Sequence, residues 1–297
     1  MSDVHVLVTG ATGTVGSAIL AVMTSRGVPV RALARNPGML PENPLVDVVK
    51  GDYDDQRSLD AATAGVEVVF LLTTPESPVP RHDRAILRAA RSAGVSRIVK
   101  LSATSAGARG PNNRIVGTWH RAAEDAVTAS GLSWTILRPS SFASNFLRWA
   151  DAINQGHPIP NMTGSGLQGV IDPRDVAAVS AECLLSGVGA GQTITLTGPE
   201  LLSVPDQVAR LARVLGRQIT TVDVPPDQAR ERMRSSGMAG PAIETVVAGA
   251  TWAREGGNAR ITEEVRRILG RPPGTFESWA LDHRAAFDTP PASPPSR

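Results

Sequence analysis

Three glycines with a characteristic spacing give the first chemical signal in the sequence. Gly10, Gly13 and Gly16 lie in the segment TGATGTVG, after a short apolar run and before a segment with helical periodicity. Such glycines permit a tight turn, the approach of backbone to a pyrophosphate, and close packing of helix on strand. The helix start also offers N–H groups to phosphates, so we predict a dinucleotide site; the alternative is an ordinary glycine-rich turn. The predicted contacts are Gly10, Thr12, Gly13, Thr14, Val15 and Gly16.

The end of the next predicted strand bears on which dinucleotide is bound. An NAD site usually places Asp or Glu about 20 residues after the glycines, where the carboxylate binds ribose hydroxyls. Here the strand VPVRALARNP reaches Arg35, and no acidic residue follows before Glu42. A guanidinium pairs with a 2′-phosphate, so the sequence favours NADP(H) over NAD(H). The alternative for Arg35 is a solvated charge at a strand end.

Asp52 and Tyr53 follow the third predicted strand in the segment KGDYDD. We expect the Asp52 carboxylate to accept a hydrogen bond from an adenine amino group, with Tyr53 lining the same pocket. Simple packing is an equal alternative for Tyr53. Asp54 and Asp55 instead have the position of residues that cap the next helix.

Composition excludes several kinds of protein. Lys50 and Lys100 are the only lysines among 30 basic residues, Tyr53 is the single tyrosine, and Cys183 is the single cysteine. One cysteine rules out an internal disulfide and a multi-cysteine metal site. A net charge of +2 does not favour a nucleic-acid partner. The start of the chain does not resemble a signal peptide, and no apolar run approaches the ~20 residues of a membrane span, so we expect a cytoplasmic protein without membrane contact.

Alternating apolar runs and helix-period segments must position these residues. The pattern predicts six strands in the first half of the chain, at residues 5–8, 28–34, 46–50, 66–72, 97–101 and 134–137. Such alternation is typical of an α/β fold, a Rossmann-type doubly wound parallel sheet whose site lies at the carboxyl ends of the strands.

The domain assignment follows from where this pattern loosens, after Pro139. Residues 1–150 are predicted to form the NADP-binding Rossmann domain, and residues 151–287 a smaller C-terminal substrate-binding lobe. Residues of about 168–197 are expected to return to the sheet. The Pro/Ser-rich residues 288–297 are predicted to be a disordered tail.

Six segments together resemble the NmrA-like branch of the atypical short-chain dehydrogenase/reductases. In order along residues 4–180, they are TGATGTVG, ALARNP, GDYDD, SRIVKLSATSA, HRAAEDAVTASGLSWTILRPSSFASNF and VIDPRDVA. The resemblance implies a Rossmann domain with a smaller C-terminal substrate lobe. The branch contains NAD(P)H-dependent quinone, azo-dye and triphenylmethane-dye reductases, isoflavone-reductase-like enzymes, and regulatory proteins that bind the dinucleotide without turning it over.

The sequence departs from the wider superfamily in its catalytic helix. Ordinary members use a Tyr-x-x-x-Lys pair there, but the corresponding segment IVGTWHRAAEDAV contains neither residue. His120 and Glu124 stand in this region, four residues apart on one helix face. Either His120 acts at the nicotinamide or substrate, oriented by Glu124, or the two form a structural pair. Ser102 lies where the superfamily has its catalytic serine, and it either binds substrate or ribose or only completes a strand end. We expect no metal site.

The resemblance also implies which segments flank the nicotinamide. They are those after the fourth and sixth strands, and their residues are Thr73, Thr74, Pro75, Pro139, Ser140, Ser141 and Phe142. A predicted helix then carries Phe142, Phe146 and Trp149 at i, i+4 and i+7, a stripe more typical of core than of a pocket. With Trp119 and Asn145, the stripe is the candidate substrate surface, because aromatic rings stack on flat substrates. Asp172, before Pro173, is predicted to cap a helix.

These residues predict an NADPH-dependent reductase that transfers hydride directly to a quinonoid or conjugated aromatic acceptor, without flavin. Such acceptors delocalise the developing charge, so the loss of a Tyr-Lys pair is tolerable. Two alternatives stay open: a redox sensor that binds NADP(H) and a partner protein, and a tailoring reductase or isomerase of aromatic natural-product biosynthesis. The expected partner is a small aromatic or quinonoid substrate, and a homodimer is one possible assembly.

Overall fold

A computed structural model describes residues 5–73, 80–110, 113 and 115–288. Its strands are β1 (Val6–Val8), β2 (Val30–Ala34), β3 (Val46–Lys50), β4 (Val68–Leu71), β5 (Arg97–Leu101), β6 (Ser133–Pro139), β7 (Ile159–Asn161), β8 (Gln192–Leu196) and β9 (Thr221–Asp223). Seven of them form a parallel sheet in the order β3-β2-β1-β4-β5-β6-β8, while β7 and β9 pair separately. The predicted doubly wound α/β sheet is therefore confirmed.

The helices are α1 (Thr14–Ser25), α2 (Gln56–Thr63), α3 (Arg81–Ser92), α4 (Thr118–Thr128), α5 (Ala150–Asn154), α6 (Pro173–Ser186), α7 (Val204–Leu215), α8 (Pro226–Ser235), α9 (Gly240–Arg254), α10 (Glu264–Leu269), α11 (Phe276–Asp282) and α12 (Arg284–Phe287). One face of the sheet shares a core with α1 and α6, and the other with α2, α3 and α4. All four residues of β4 are buried, because helices cover both faces of a central parallel strand.

Local side chains start two of these helices as predicted. Asp55 caps α2 by accepting a hydrogen bond from the Arg57 amide, and Asp172 caps α6 through the Arg174 amide. Asp54 is not a cap, since its carboxylate lies 2.9 Å from an Arg81 guanidinium nitrogen. The capping predictions for Asp55 and Asp172 are therefore confirmed, and that for Asp54 is wrong.

The chain returns to the sheet after it has begun the C-terminal lobe. Helix α6 packs on α1, and β8 pairs in parallel with β6 as the edge strand. The lobe has a separate apolar core, to which α7 and α11 contribute together with Phe146 and Phe287. Of the predicted tail, only Asp288 lies among the described residues.

No helix in the described ranges is long and apolar enough to cross a membrane. Within the same ranges, no group of three or more His, Cys, Asp or Glu residues has the arrangement of a metal site.

Candidate active site

The glycine loop connects β1 to α1 at the carboxyl end of the sheet. Gly10 has a φ of 63°, in the left-handed region, and its carbonyl accepts the Gly13 amide at 3.0 Å. A Cβ atom on Gly16 would lie 2.1 Å from that same carbonyl oxygen, so only glycine allows α1 to start here. The sequence therefore specifies the tight turn and the close approach of helix to strand.

The beginning of α1 has the surface that a phosphate group requires. Gly13 precedes the helix and provides no side-chain cap, and the first N–H groups of a helix have no acceptor within it. Thr12, Gly13 and Thr14 are exposed, whereas Val15 is buried in the core and leaves only its backbone for a ligand. Exposed amides at the positive end of a helix dipole fit the pyrophosphate of a dinucleotide.

Two arginines on β2 and just after it differ in their surroundings. Arg31 pairs with Asp47 on β3, with 2.7 Å between Nε and Oδ2. Arg35, directly after the strand, is exposed and forms no ion pair with the residues that the structure describes. Its guanidinium therefore has no counter-ion within the described part of the chain, at the carboxyl end of β2, where the predicted 2′-phosphate contact would lie.

Asp52 and Tyr53 are adjacent in the chain, but their side chains have different surroundings. Asp52 is exposed, and one of its carboxylate oxygens accepts the Asp54 amide at 3.0 Å. The Tyr53 hydroxyl donates to the Leu72 carbonyl at 2.8 Å, and its ring stacks on His82 with 5.1 Å between centroids. Burial raises the pKa of Tyr53 to about 12. These contacts support a packing role for Tyr53.

A buried chain of polar groups fixes the ends of β4 and β5. The Thr73 hydroxyl donates to Asp83 at 2.8 Å, and the other Asp83 oxygen lies 2.9 Å from Lys100 Nζ. Both charged side chains are fully buried, and the ammonium lies 5.3 Å from the centre of the Trp119 ring. Thr73 and Trp119 are thus held by internal contacts. Thr74 and Pro75 lie outside the described residues.

Ser102, Glu124 and Arg138 form a second buried group, here called the serine cluster. Ser102 Oγ donates to Glu124 Oε1 at 2.6 Å, and Arg138 binds both carboxylate oxygens, with Nε at 2.8 Å from Oε1. Ser102 and Glu124 are buried, while Arg138 is partly exposed. Because its proton points to Glu124, the Ser102 oxygen is available as a hydrogen-bond acceptor.

The predicted pairing of His120 with Glu124 is not formed. Glu124 is occupied by Ser102 and Arg138, and the buried Nδ1 of His120 has no hydrogen-bond partner among the described residues. The His120 ring instead packs edge-on against Trp119 at 4.9 Å. Burial and the nearby charge of Lys100 lower the pKa of His120 to about 4, so the imidazole is neutral at pH 7.

The predicted aromatic stripe is divided between two cores. Residues Ala143–Trp149 form a 3-10 helix, and Phe142 precedes it in an extended conformation. Phe142 packs on the sheet core, whereas Phe146 and Trp149 make an edge-to-face pair at 4.9 Å in the lobe core. The expectation of one helical face is therefore wrong, because the helix has three residues per turn and starts after Phe142.

The residues after β6 lie beside the serine cluster. The backbone amide of Ser102 donates to the Leu137 carbonyl at 2.7 Å, which aligns the ends of β5 and β6. Ser140 is buried, and Ser141 and Asn145 are half-buried with 3.4 Å between their side-chain polar atoms. Pro139 ends β6, so these residues lie where a ligand at the carboxyl edge would meet the lobe.

Sequence reasoning did not identify Arg138 or Asp83, although each completes a buried group. Lys100 in RIVKL and Arg138 in TILRP are charged residues inside otherwise apolar strands. A charged side chain in a buried strand requires a partner, so this pattern predicts that Lys100 and Arg138 each have a buried acidic partner. It does not reveal which partner is used.

Three comparisons relate the chain to known proteins. A family model described as NAD(P)H-binding matches residues 10–186. A (4-alkanoyl-5-oxo-2,5-dihydrofuran-3-yl)methyl phosphate reductase of Streptomyces griseus is 36% identical over 283 residues, covering 95% of this chain and 99% of that protein. The NAD(P)H azoreductase of Xenophilus azovorans is 31% identical over 284 residues, again covering 95% and 99%.

Among solved structures, the NADPH-dependent quinone oxidoreductase of Escherichia coli in complex with NADPH superposes with a TM-score of 0.81. The identity is 24%, and the match covers 93% of this chain and 99% of the other. At this identity the similarity supports the fold.

Proposed function

The chain belongs to the NAD(P)H-binding family, as an oxidoreductase of the NmrA-like branch, and on this premise we propose that it reduces quinonoid or conjugated acceptors with NADPH. The glycine loop and the first turn of α1 would hold the pyrophosphate, and Arg35 the 2′-phosphate. When bound, NADPH supplies a hydride. The protein's own residues must then orient the acceptor and control its protonation.

The observation that carries the proposal is that the candidate proton donors are already committed. The Ser102 hydroxyl donates to Glu124, and the Tyr53 hydroxyl donates to the Leu72 carbonyl and has a pKa of about 12. His120, with a pKa of about 4, carries no extra proton at neutral pH. An acceptor that needs a proton from the protein therefore finds no good acid among these described groups.

This arrangement favours acceptors that stabilise their own negative charge. A quinone that takes up hydride becomes a delocalised hydroquinone anion, which water can protonate. A simple ketone becomes an alkoxide, which requires an acid as it forms. We infer that the partly exposed Arg138 orients the acceptor by donating to one of its oxygens, and that neither Arg138 nor Ser102 transfers a proton to it.

The names of two relatives agree with this acceptor class. The Streptomyces griseus protein is named for a 5-oxo-2,5-dihydrofuran, a lactone conjugated with a carbon–carbon double bond, and the Xenophilus azovorans protein for azo compounds. In both compounds the reducible bond belongs to a conjugated system. This agreement supports a conjugated acceptor for the present chain.

NADPH oxidation tests the proposal directly. The purified protein, without added flavin, is expected to oxidise NADPH with simple quinones, azo dyes and enones, and to reduce unactivated ketones hardly at all. Equal rates with quinones and simple ketones would show that the site contains an effective acid. Tight NADPH binding without turnover of any conjugated acceptor would overturn the proposed reductase function and favour the alternative of an NADP(H)-binding sensor.

A further inference from the structure

A cavity of about 420 Å³ lies beside the serine cluster. Its lining comes from the segment after β5, from α4, β6 and β8, and from the end of α9 and the chain that follows it. Arg138 belongs to both the serine cluster and this lining, and Thr104 of the lining donates its amide to the Pro139 carbonyl at 3.1 Å. The cavity therefore adjoins the segment expected to flank the nicotinamide, and its volume is that of a small-molecule site.

The charged residues in the cavity lining are all arginines. Arg121 pairs with Asp125 at 2.9 Å, and Arg138 pairs with Glu124. Arg260 is exposed and forms no ion pair with the residues that the structure describes. Since no acidic residue of the described chain lines the cavity, one positive charge there has no protein counter-ion.

One neutral side chain of the lining, Asn258, adds a hydrogen-bond donor to the arginines. Asn258 is buried, and its Oδ1 accepts the Thr104 hydroxyl at 3.0 Å. The Asn258 amide nitrogen has only a long contact of 3.4 Å, to Gln168. The side-chain nitrogen of Asn258 therefore keeps a hydrogen for donation, and every arginine is a donor only.

We propose that this cavity binds an anionic group of the acceptor substrate, a phosphate monoester or a carboxylate. Such oxyanions accept several hydrogen bonds at once and pair strongly with guanidinium groups. This inference rests on the proposed reductase function and adds the charge of the substrate to it. Arg260 and Asn258 would hold the oxyanion while the conjugated part of the substrate lies toward Ser102.

The test compares naphthoquinones that differ only in one side arm, which is neutral, carboxylated or phosphorylated. At low ionic strength we expect the wild type to show a kcat/KM about tenfold higher for at least one anionic quinone than for the neutral one, an advantage that salt reduces. Whichever arm gains more identifies the preferred oxyanion. Equal kcat/KM values for the three quinones would overturn the proposal.

Arg260→Gln should lower the anionic-to-neutral ratio of kcat/KM about tenfold, because it removes the unpaired charge. Arg232→Gln, at an exposed arginine of α8 outside the cavity lining, changes the net charge equally and should leave the ratio unaltered. A ratio that responds to neither substitution, or equally to both, would contradict the assigned site.

A binding measurement separates this proposal from the reductase function. With NADPH saturating and ionic strength held constant, orthophosphate should raise the melting temperature of the wild type. The dissociation constant obtained from that shift should increase about tenfold in Arg260→Gln. If the protein reduces no quinone but binds orthophosphate in this way, only the proposed function fails. If it reduces neutral quinones and orthophosphate causes no shift, the anion site fails.

Discussion

The glycine loop and the serine cluster both lie at the carboxyl ends of sheet strands, but they are built differently. In the loop, the Gly10 carbonyl binds the amide three residues later, and ligand contacts would come from backbone atoms. In the serine cluster, Glu124 binds side chains 22 and 14 residues away. The loop needs space and free amides, whereas the cluster needs three side chains at correct distances.

This difference determines what a substitution should change. Thr12, Gly13 and Thr14 of the loop are exposed, so filling the space at Gly13 should remove ligand binding with little loss of stability. The serine cluster contains a buried carboxylate, so removing one member leaves polar groups without partners in the interior. Substitutions there should reduce stability and activity together.

The largest expected effect is in the loop. Gly13→Val should weaken NADPH binding by more than about 100-fold, because the branched side chain would occupy the pyrophosphate position. A Cβ atom at Gly13 would lie 3.3 Å from the Gly10 carbonyl oxygen, a tight contact that a shift of a few tenths of an ångström relieves, so we expect the fold to survive. Fluorescence titration measures the binding, and Gly249→Val, on an open part of α9, serves as a control. Normal NADPH affinity of the Gly13 variant would mean that the loop is misassigned.

Substitution of a residue in the serine cluster should lower the stability of the protein. Glu124→Ala leaves Ser102 and Arg138 unpaired, and we expect the free energy of unfolding to fall by about 2–3 kcal/mol. The neighbouring residue Asp125 is exposed and pairs with Arg121. Asp125→Ala should therefore lower the free energy of unfolding by less than about 0.5 kcal/mol. Urea unfolding of the two variants measures the contrast. Similar losses would show that the buried group is no more important than a surface pair.

Arg35 tests cofactor choice at the edge of the loop region. Arg35→Ala should weaken NADPH binding by about 2 kcal/mol and leave NADH binding nearly unchanged, because only NADPH carries the 2′-phosphate. Arg31→Ala removes the same charge from within β2, four residues before Arg35, where the guanidinium is paired with Asp47, and it should affect both cofactors alike. Equal affinity of the wild type for NADH and NADPH would contradict the prediction.

The smallest expected effect concerns pH and His120. Its pKa in the folded protein is about 4, below the ordinary 6.5, so between these pH values the unfolded chain binds more protons. Stability should therefore decrease by about 1–2 kcal/mol as the pH falls from 6.5 to 5. His120→Asn should flatten this part of the profile, and His157→Asn, at an exposed histidine, should not. Identical profiles for all three proteins would exclude His120 as the cause.

How well sequence predicted each region follows the same division. The loop and the caps at Asp55 and Asp172 were predicted because their contacts join residues two or three positions apart. The partner of Glu124 was not predicted correctly. A spacing of four residues shows only that His120 and Glu124 lie on the same face of a helix, not that their side chains are paired. Arg138 reaches Glu124 through the packing of α4 on the sheet, and Asn258 reaches Thr104 across 154 residues.

The aromatic stripe shows a second reason for failure. A period of 3.6 was assumed for residues 142–149, but the segment is a 3-10 helix that begins after Phe142. Phe142 instead forms a bridge with Ile171, in the segment that leads into α6. Phe142 is therefore paired with a segment that comes later in the chain, and a local periodicity cannot reveal such a contact.

The packing of α6 on α1 has a consequence for synthesis of the chain. The inner side of α1, including Val15, Ile19 and Met23, is covered in part by Val176 and Val179 of α6. When only the first 150 residues have been synthesised, the glycine loop and α1 are therefore present, but α6, which covers α1, is not. We expect a fragment ending there to expose this apolar surface and aggregate, so cofactor capture must wait until the later segment emerges.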